Sequence, residues 1–274
     1  MDDTRRMRPL LGTFVEVSAR GTDTAVAIER AFEAIAEAQA LWSFQDERSE
    51  LSRLNGAPGT RVRLQAGTLR LLRIAKAFML LSHHAFDCTV GGLLVGKGAL
   101  PDHGGPAPLP RGCAQDLELG DTWARLRRPV RLTLDGVAKG YAVDLAIRAL
   151  RCHGASAGWV NAGGDLRVFG DVTLPVQRRE LDGQLTSLGG LRDAALASSR
   201  ASHSWHRDDP FQACIVAPEG LTPETGIWSV LARSAWRADA LTKVASATAP
   251  AQRQALVQRL GGCLVTPPSL DMPA

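Results

Sequence analysis

The sequence predicts an α+β fold, with antiparallel-rich sheets and helices packed to one side in two intimately joined lobes. Short apolar runs of period 2 stop in glycine-containing turns, as in Val130, Leu132 and Leu134 before Asp135-Gly136. Longer stretches repeat their apolar residues at helical spacing, most clearly Thr22 to Trp42. The 274 residues are 45% apolar and 22% charged, enough for a real core and ordinary for a soluble chain. Residues 1–274 are read as one domain of two interleaved lobes, with a ligand cleft between them.

In chain order, residues 10–19 alternate as a strand, and Ile28, Phe32, Ile35, Gln39 and Trp42 mark one helix face, four of the five apolar. Ser43 to Asn55 is polar and turn-prone, with Ser49 a candidate helix cap, and a short strand follows at Arg61–Leu64. Thr68 to Ser82 reads as a largely buried helix with Thr68 as N-cap. His83 and His84 are adjacent and point apart on a helix, so they make a poor shared metal site. Asp87 reads as a helix N-cap, PDHGGPAPLPRG (101–112) as a surface loop, and 116–134 as a hairpin. Strands are expected near 171–175, 193–197 and 263–266, and helices over 235–247 and 250–260, the last stopped by Gly261-Gly262.

The stretch from Pro129 to Gly170 organises the rest. After the Asp135-Gly136 turn, Val137, Tyr141, Leu145 and Ala149 repeat every four residues as a helix that Asp135 can cap, with Lys139 in its first turn. A second apolar run, Trp159-Val160, ends in Asn161-Ala162-Gly163-Gly164-Asp165. Main-chain N–H groups at such turns approach phosphate closely, and a helix N-terminus favours an anion. By themselves these are also ordinary turns beside a solvated lysine, since short glycine motifs recur by chance and neither a Walker loop nor GxGxxG is present.

LDGVAKGYAVD (134–144) followed by VNAGGDLRVFG (160–170) resembles the paired central motifs of the ApbE-type family, the FAD:protein FMN transferases. Other pieces fall in the family's order: LLGTFVEVSARG (10–21), WSFQDERSELSRLN (42–55), AFDCTVGGLL (85–94) and RADALTKV (237–244). The resemblance implies an enzyme that moves FMN from FAD to a Ser or Thr hydroxyl of an acceptor protein and releases AMP, with Mg²⁺ assisting. It implies that Leu11, Gln45, Ala85, Phe86, Asp87, Thr133, Lys139, Gly163, Gly164, Asp165 and Ile215 bind FAD, with Phe44, Ser49 and Asn55 near the pocket wall. Asp239 and Lys139 take the catalytic roles, and Gly136, Asp239 and Thr242 hold the metal.

The chain departs from the family pattern twice. Where relatives carry His-x-x-Asp-Pro-x-Thr-Gly, residues 214–220 read CIVAPEG, and Cys214 and Ala217 replace the histidine and aspartate. The hydroxyl ligand expected four residues after Asp239 is Lys243, a cation, so Thr242 is the substitute ligand; alternatively Lys243 pairs with Asp239 and supplies the metal's charge. An FAD-binding protein of the same fold without transferase activity is therefore the alternative function.

A net charge of +4 suits an anionic ligand, and the absence of any lysine or arginine block argues against nucleic acid. Five widely spaced cysteines without a CxxC pair indicate neither zinc nor a disulfide framework. With no membrane segment and no signal peptide at the N-terminus, the expected compartment is the cytoplasm. Ser198, Ser199, Ser202, His203, Ser204, His206, Asp208 and Asp209 have the composition of a hydrolase cluster, but no GxSxG elbow accompanies them.

Overall fold

The structure is a computed structural model that describes residues 3–201, 215–218 and 222–265. Its strands are β1 (Thr4–Leu10), β2 (Thr13–Gly21), β3 (Val62–Arg63), β4 (Leu117–Leu119), β5 (Trp123–Leu126), β6 (Ala155–Ala162), β7 (Asp165–Phe169), β8 (Leu174–Arg179), β9 (Leu185–Leu191), β10 (Ala195–Ala201), β11 (Gly226–Ala232) and β12 (Gly262–Leu264). Its helices are α1 (Thr24–Trp42), α2 (Glu50–Gly56), α3 (Ala66–Leu81), α4 (Gly91–Gly96), α5 (Ala138–Cys152), α6 (Ala235–Ala247) and α7 (Pro250–Arg259).

A seven-stranded sheet in the order β1-β2-β6-β7-β10-β11-β12, antiparallel at every step, is the backbone of the molecule. Helices α1, α5 and α6 pack together on one of its faces. The apolar stripe of α1 (Ile28, Phe32, Ile35, Trp42) is buried there, each such side chain contributing about 1.5–3 kcal/mol relative to exposure. The other face carries a smaller cluster in which Trp159, Leu166, Val168 and Leu196 meet Leu191 of the hairpin β8–β9. Strand alternation explains the division: Val160 faces the main core and Trp159 the small one. A separate sheet, β3-β5-β4, lies beside α3. The mixed helix and antiparallel-sheet architecture is thus as the sequence predicts.

Several local expectations are corrected. Among the described residues, the run 130–134 joins no ladder beyond a single parallel bridge between Arg131 and Val90. Both of its sides are covered: Val130, Leu132 and Leu134 are fully buried, and Arg131 and Thr133 nearly so. Its main chain is held by a side chain instead. The Asn55 amide donates to the Leu132 carbonyl at 2.8 Å and accepts from the Leu132 N–H at 2.7 Å. Arg131 is buried because its guanidinium donates to the carbonyls of Asn55, Gly104 and Pro106, which also anchors the 101–112 loop.

Asp135 does not cap α5; the N-cap is Val137, without a side-chain bond. Thr68 lies inside α3, which begins two residues earlier, and its hydroxyl is shared between Glu50 and the Trp42 indole. Asp87 makes a local turn with the N–H and hydroxyl of Thr89, while α4 starts after Val90. The strand expected near 171–175 lies slightly later, as β8 at Leu174–Arg179, and strands β1 and β9 have no counterpart in the sequence reading; residues 4–10 are mostly exposed.

Candidate functional site

A cleft of about 620 Å³ opens where the turn between β1 and β2, the loop after α3, the 133–136 segment, β10 and α6 converge. Each contributor is placed by the fold. The β1–β2 turn presents Leu11, whose N–H donates to Gln39 of α1 at 2.5 Å. Asn55 fixes the segment bearing Thr133, Asp135 and Gly136. The turn between β6 and β7 presents Gly163 at φ +60°, a left-handed conformation that favours glycine. A Cβ there would also lie 2.6 Å from the Thr13 hydroxyl.

Helices α5 and α6 set the polar floor. Gly140 lets them touch: a Cβ at that position would sit 2.4 Å from the Ala235 carbonyl oxygen. The Gly140 N–H donates to Asp239 Oδ2 at 3.1 Å. One turn further along α5, the Asp144 carboxylate accepts from the N–H groups of Ala235 and Trp236, both at 3.0 Å, and from Arg167. These are two of the donors that α6 leaves unpaired at its N-terminus. Burial pushes the Asp144 carboxyl up despite Arg167.

Asp239 is fully buried. Its Oδ1 accepts from the Lys243 ammonium one turn later on α6, and Lys243 also donates to Ser199 Oγ at 3.0 Å. Thr242 Oγ1 lies 2.7 Å from both Ser199 Oγ and the Asp239 carbonyl oxygen. On the α5 side, the Lys139 ammonium lies 3.4 Å from Asp165 Oδ2, within ion-pair distance, yet that buried oxygen has no hydrogen-bond donor among the described residues. Burial, then the charge of Asp239, pushes the Asp165 carboxyl well above the usual carboxylate range. The Asp165 carboxylate in turn raises the Lys139 ammonium. Asp135 is exposed at the cleft wall but ringed closely by protein, and that crowding pushes its carboxyl up, with Thr133 and Lys243 opposing.

Of the residues singled out in the sequence, Leu11, Gln45, Ala85, Phe86, Asp87, Thr133, Gly136, Lys139, Gly163 and Ile215 all border this cleft. Asp165 and Asp239 lie behind its floor, ion-paired with the two lysines that do border it. Thr242 is fully buried beside them. Gly164 lines an adjoining cavity of about 360 Å³ that shares Gly163, Ser198 and Arg200 with the first. Three wall candidates do not line it themselves and have structural partners: Phe44 is buried against His103, Ser49 caps α2, and Asn55 clamps Leu132. Sequence reasoning missed the structural parts of Asp144 and Arg131; Asp144 closes the motif LDGVAKGYAVD, and its position there was the available signal. Ser202, His203, Ser204, His206, Asp208, Asp209 and Cys214 lie outside the described residues.

The fold thus encloses a sizeable, partly apolar cleft over a floor of paired lysines and acids. The chain belongs to the ApbE family, whose sequence profile matches residues 11–265. Among solved structures it is similar to the ApbE protein of Thermotoga maritima, at 23% identity and a TM-score of 0.81, over 96% of this chain and 93% of that one. The flavinyl transferase ApbE of Pseudomonas stutzeri in its apo form is 19% identical with a TM-score of 0.78, over 94% and 88%. The flavin transferase ApbE of Vibrio cholerae is 20% identical with a TM-score of 0.76, over 93% and 90%. Comparison with curated protein sequences gives no match. Among the described residues, no helix is long and apolar enough to cross a membrane.

Proposed function

We propose that this protein transfers FMN from FAD to a Ser or Thr hydroxyl of an acceptor protein in the cytoplasm. The observation that carries the reading is the cleft itself, in which FAD-motif residues from distant parts of the chain meet over Lys139 and the α5 N-terminus. Its volume falls in the range of pockets that enclose organic ligands, about 300–1,000 Å³. The acceptor oxygen would attack the phosphorus of the FMN half, forming one P–O bond as the bond to the bridging oxygen breaks. AMP leaves with that oxygen, and the hydroxyl proton passes to solvent or the departing phosphate. Such phosphoryl transfer depends on alignment and charge neutralisation more than on covalent work by the protein. Lys139 and the helix dipole supply positive potential at the diphosphate, and Phe86, Leu11 and Ile215 supply apolar wall.

The family resemblance brings Mg²⁺ with it, on Gly136, Asp239 and Thr242. The residues present do not fit that ion: both Asp239 oxygens are engaged, the Thr242 hydroxyl is turned to Ser199 and the Asp239 carbonyl, and an ammonium stands in the site. No step is therefore routed through a metal. The same engagement favours, as second reading, an FAD-binding protein without transferase activity.

Protein mixed with FAD and a Ser/Thr-bearing acceptor, with Mg²⁺ or with EDTA, separates the two readings. Transfer predicts AMP and an acceptor heavier by one FMN residue in mass spectrometry. FAD binding with neither product under any metal leaves the second reading, and no FAD binding removes both.

A further inference from the structure

We infer that Lys243 is the built-in cation of the cleft, its ammonium facing the diphosphate of the bound dinucleotide in place of a divalent ion. This rests on the FAD reading of the cleft and specifies how that site handles charge.

The place of Lys243 is over-determined. It lies four residues after Asp239, one helical turn, and the two side chains meet. Asp239 is fully buried whereas the Lys243 side chain keeps 21% of its surface and borders the cleft, so the positive charge faces the cavity and its counter-charge lies behind. A buried carboxylate needs such a partner, because an unpaired charge in the interior is costly. Ser199 on β10 fixes the ammonium from the other side at 3.0 Å. Among the described residues two of the three ammonium N–H donors are used, which leaves the third for a ligand oxygen.

The lysine stem closes the remaining access. Its Cγ and Cε lie 3.7 Å from the position a Cβ would take on Gly136, so the aliphatic chain runs beside the Asp135-Gly136 turn. Gly136, Asp239 and Thr242, the three groups that would share a metal, are each packed or bonded within this arrangement. Lys139 provides a second ammonium at the cleft, with Asp165 behind it as Asp239 stands behind Lys243. The floor is therefore a matched pair of lysines, each backed by a buried acid.

The test is equilibrium binding of FAD and of riboflavin, which has no phosphate, by flavin fluorescence in EDTA and in Mg²⁺. The unaltered protein is expected to bind FAD equally in both, within about twofold. Lys243→Met should weaken FAD by about tenfold or more, the loss of one charged hydrogen bond, and leave riboflavin within about twofold. Because that variant strands a buried carboxylate, Asp239→Asn/Lys243→Met, which carries no stranded charge, is measured beside it and should show the same selective loss. A gain of about tenfold or more in FAD affinity on adding Mg²⁺ to the unaltered protein overturns the inference while the FAD reading stands. So does an unchanged FAD-to-riboflavin ratio in the double variant. Failure of the unaltered protein to bind either flavin refutes the cleft reading, and the assignment falls with it.

Discussion

Replacing Asn55 with alanine should cost more than the loss of a polar loop residue suggests. The amide group makes two hydrogen bonds, to the N–H and C=O of Leu132, and both backbone groups belong to a buried residue with no strand partner. Alanine leaves both unsatisfied. Each buried, unpaired group costs about 1–3 kcal/mol, and partial entry of water places the sum at about 2–4 kcal/mol. For a chain of this size that corresponds to a fall of about 4–10 °C in thermal midpoint. Equilibrium urea unfolding followed by circular dichroism measures it directly. Asn55→Asp keeps an acceptor for the Leu132 N–H but sets a carboxylate oxygen against the Leu132 carbonyl, so it should be at least as damaging. The Asn55 carbonyl, which accepts from Arg131, is untouched in both variants. A change within about 0.5 kcal/mol for Asn55→Ala, the size of an ordinary surface substitution, would refute the clamp.

Asp144→Ala should destabilise by about 2–3 kcal/mol, since it strips two N–H partners from α6 and leaves the Arg167 guanidinium without its carboxylate; chemical denaturation reads the loss, and FAD affinity should fall with it. Gly140→Ala forces a methyl against the Ala235 carbonyl and should cost about 1–3 kcal/mol by overpacking, with FAD binding weakened as the helices part. The pH dependence follows from Asp165. Its carboxyl titrates higher in the fold than the unfolded value of about 4, so the native state holds a proton that the unfolded chain has released. That contribution is complete below about pH 4 and is lost as pH rises through the folded value; Asp165→Asn should flatten the decline in urea stability between about pH 5 and 8, and an unaltered slope would discount it.

What was legible in the chain divides by distance along it. Helix α6 and the start of α7 are legible to the residue, and Pro250 in the first turn of α7 is a local signal. Tyr141 and Ala142 mark α5 in the same way, although the cap attributed to Asp135 fell two residues later. The 130–134 alternation was real as burial but not as strand pairing: Arg131 reads as a solvent-facing residue, and only carbonyls 25 to 76 residues away make its burial tolerable. Thr68 resembles a cap because threonine is favoured at that position; its hydroxyl is instead bonded to Glu50 and Trp42, which no local pattern shows. The cleft residues were found through motif resemblance, each motif being short and contiguous. Their supports, Asn55 for Leu132 and Asp144 for α6, are single side chains that bridge 77 and 91 residues, and periodicity carries no record of such pairs.

The bonds from α5 to α6 have a bearing on biosynthesis. Asp144 and Gly140 emerge from the ribosome 91 and 99 residues before the groups they hold, Ala235 and Asp239. Until α6 follows, the Asp144 carboxylate has Arg167 but not its two N–H partners, Gly140 presents a bare notch, and the lysine from α6 is missing from the pocket. A polypeptide ending before residue 234 would lack Lys243 and the acid behind it, leaving Lys139 and Asp165 alone at the floor of the cleft.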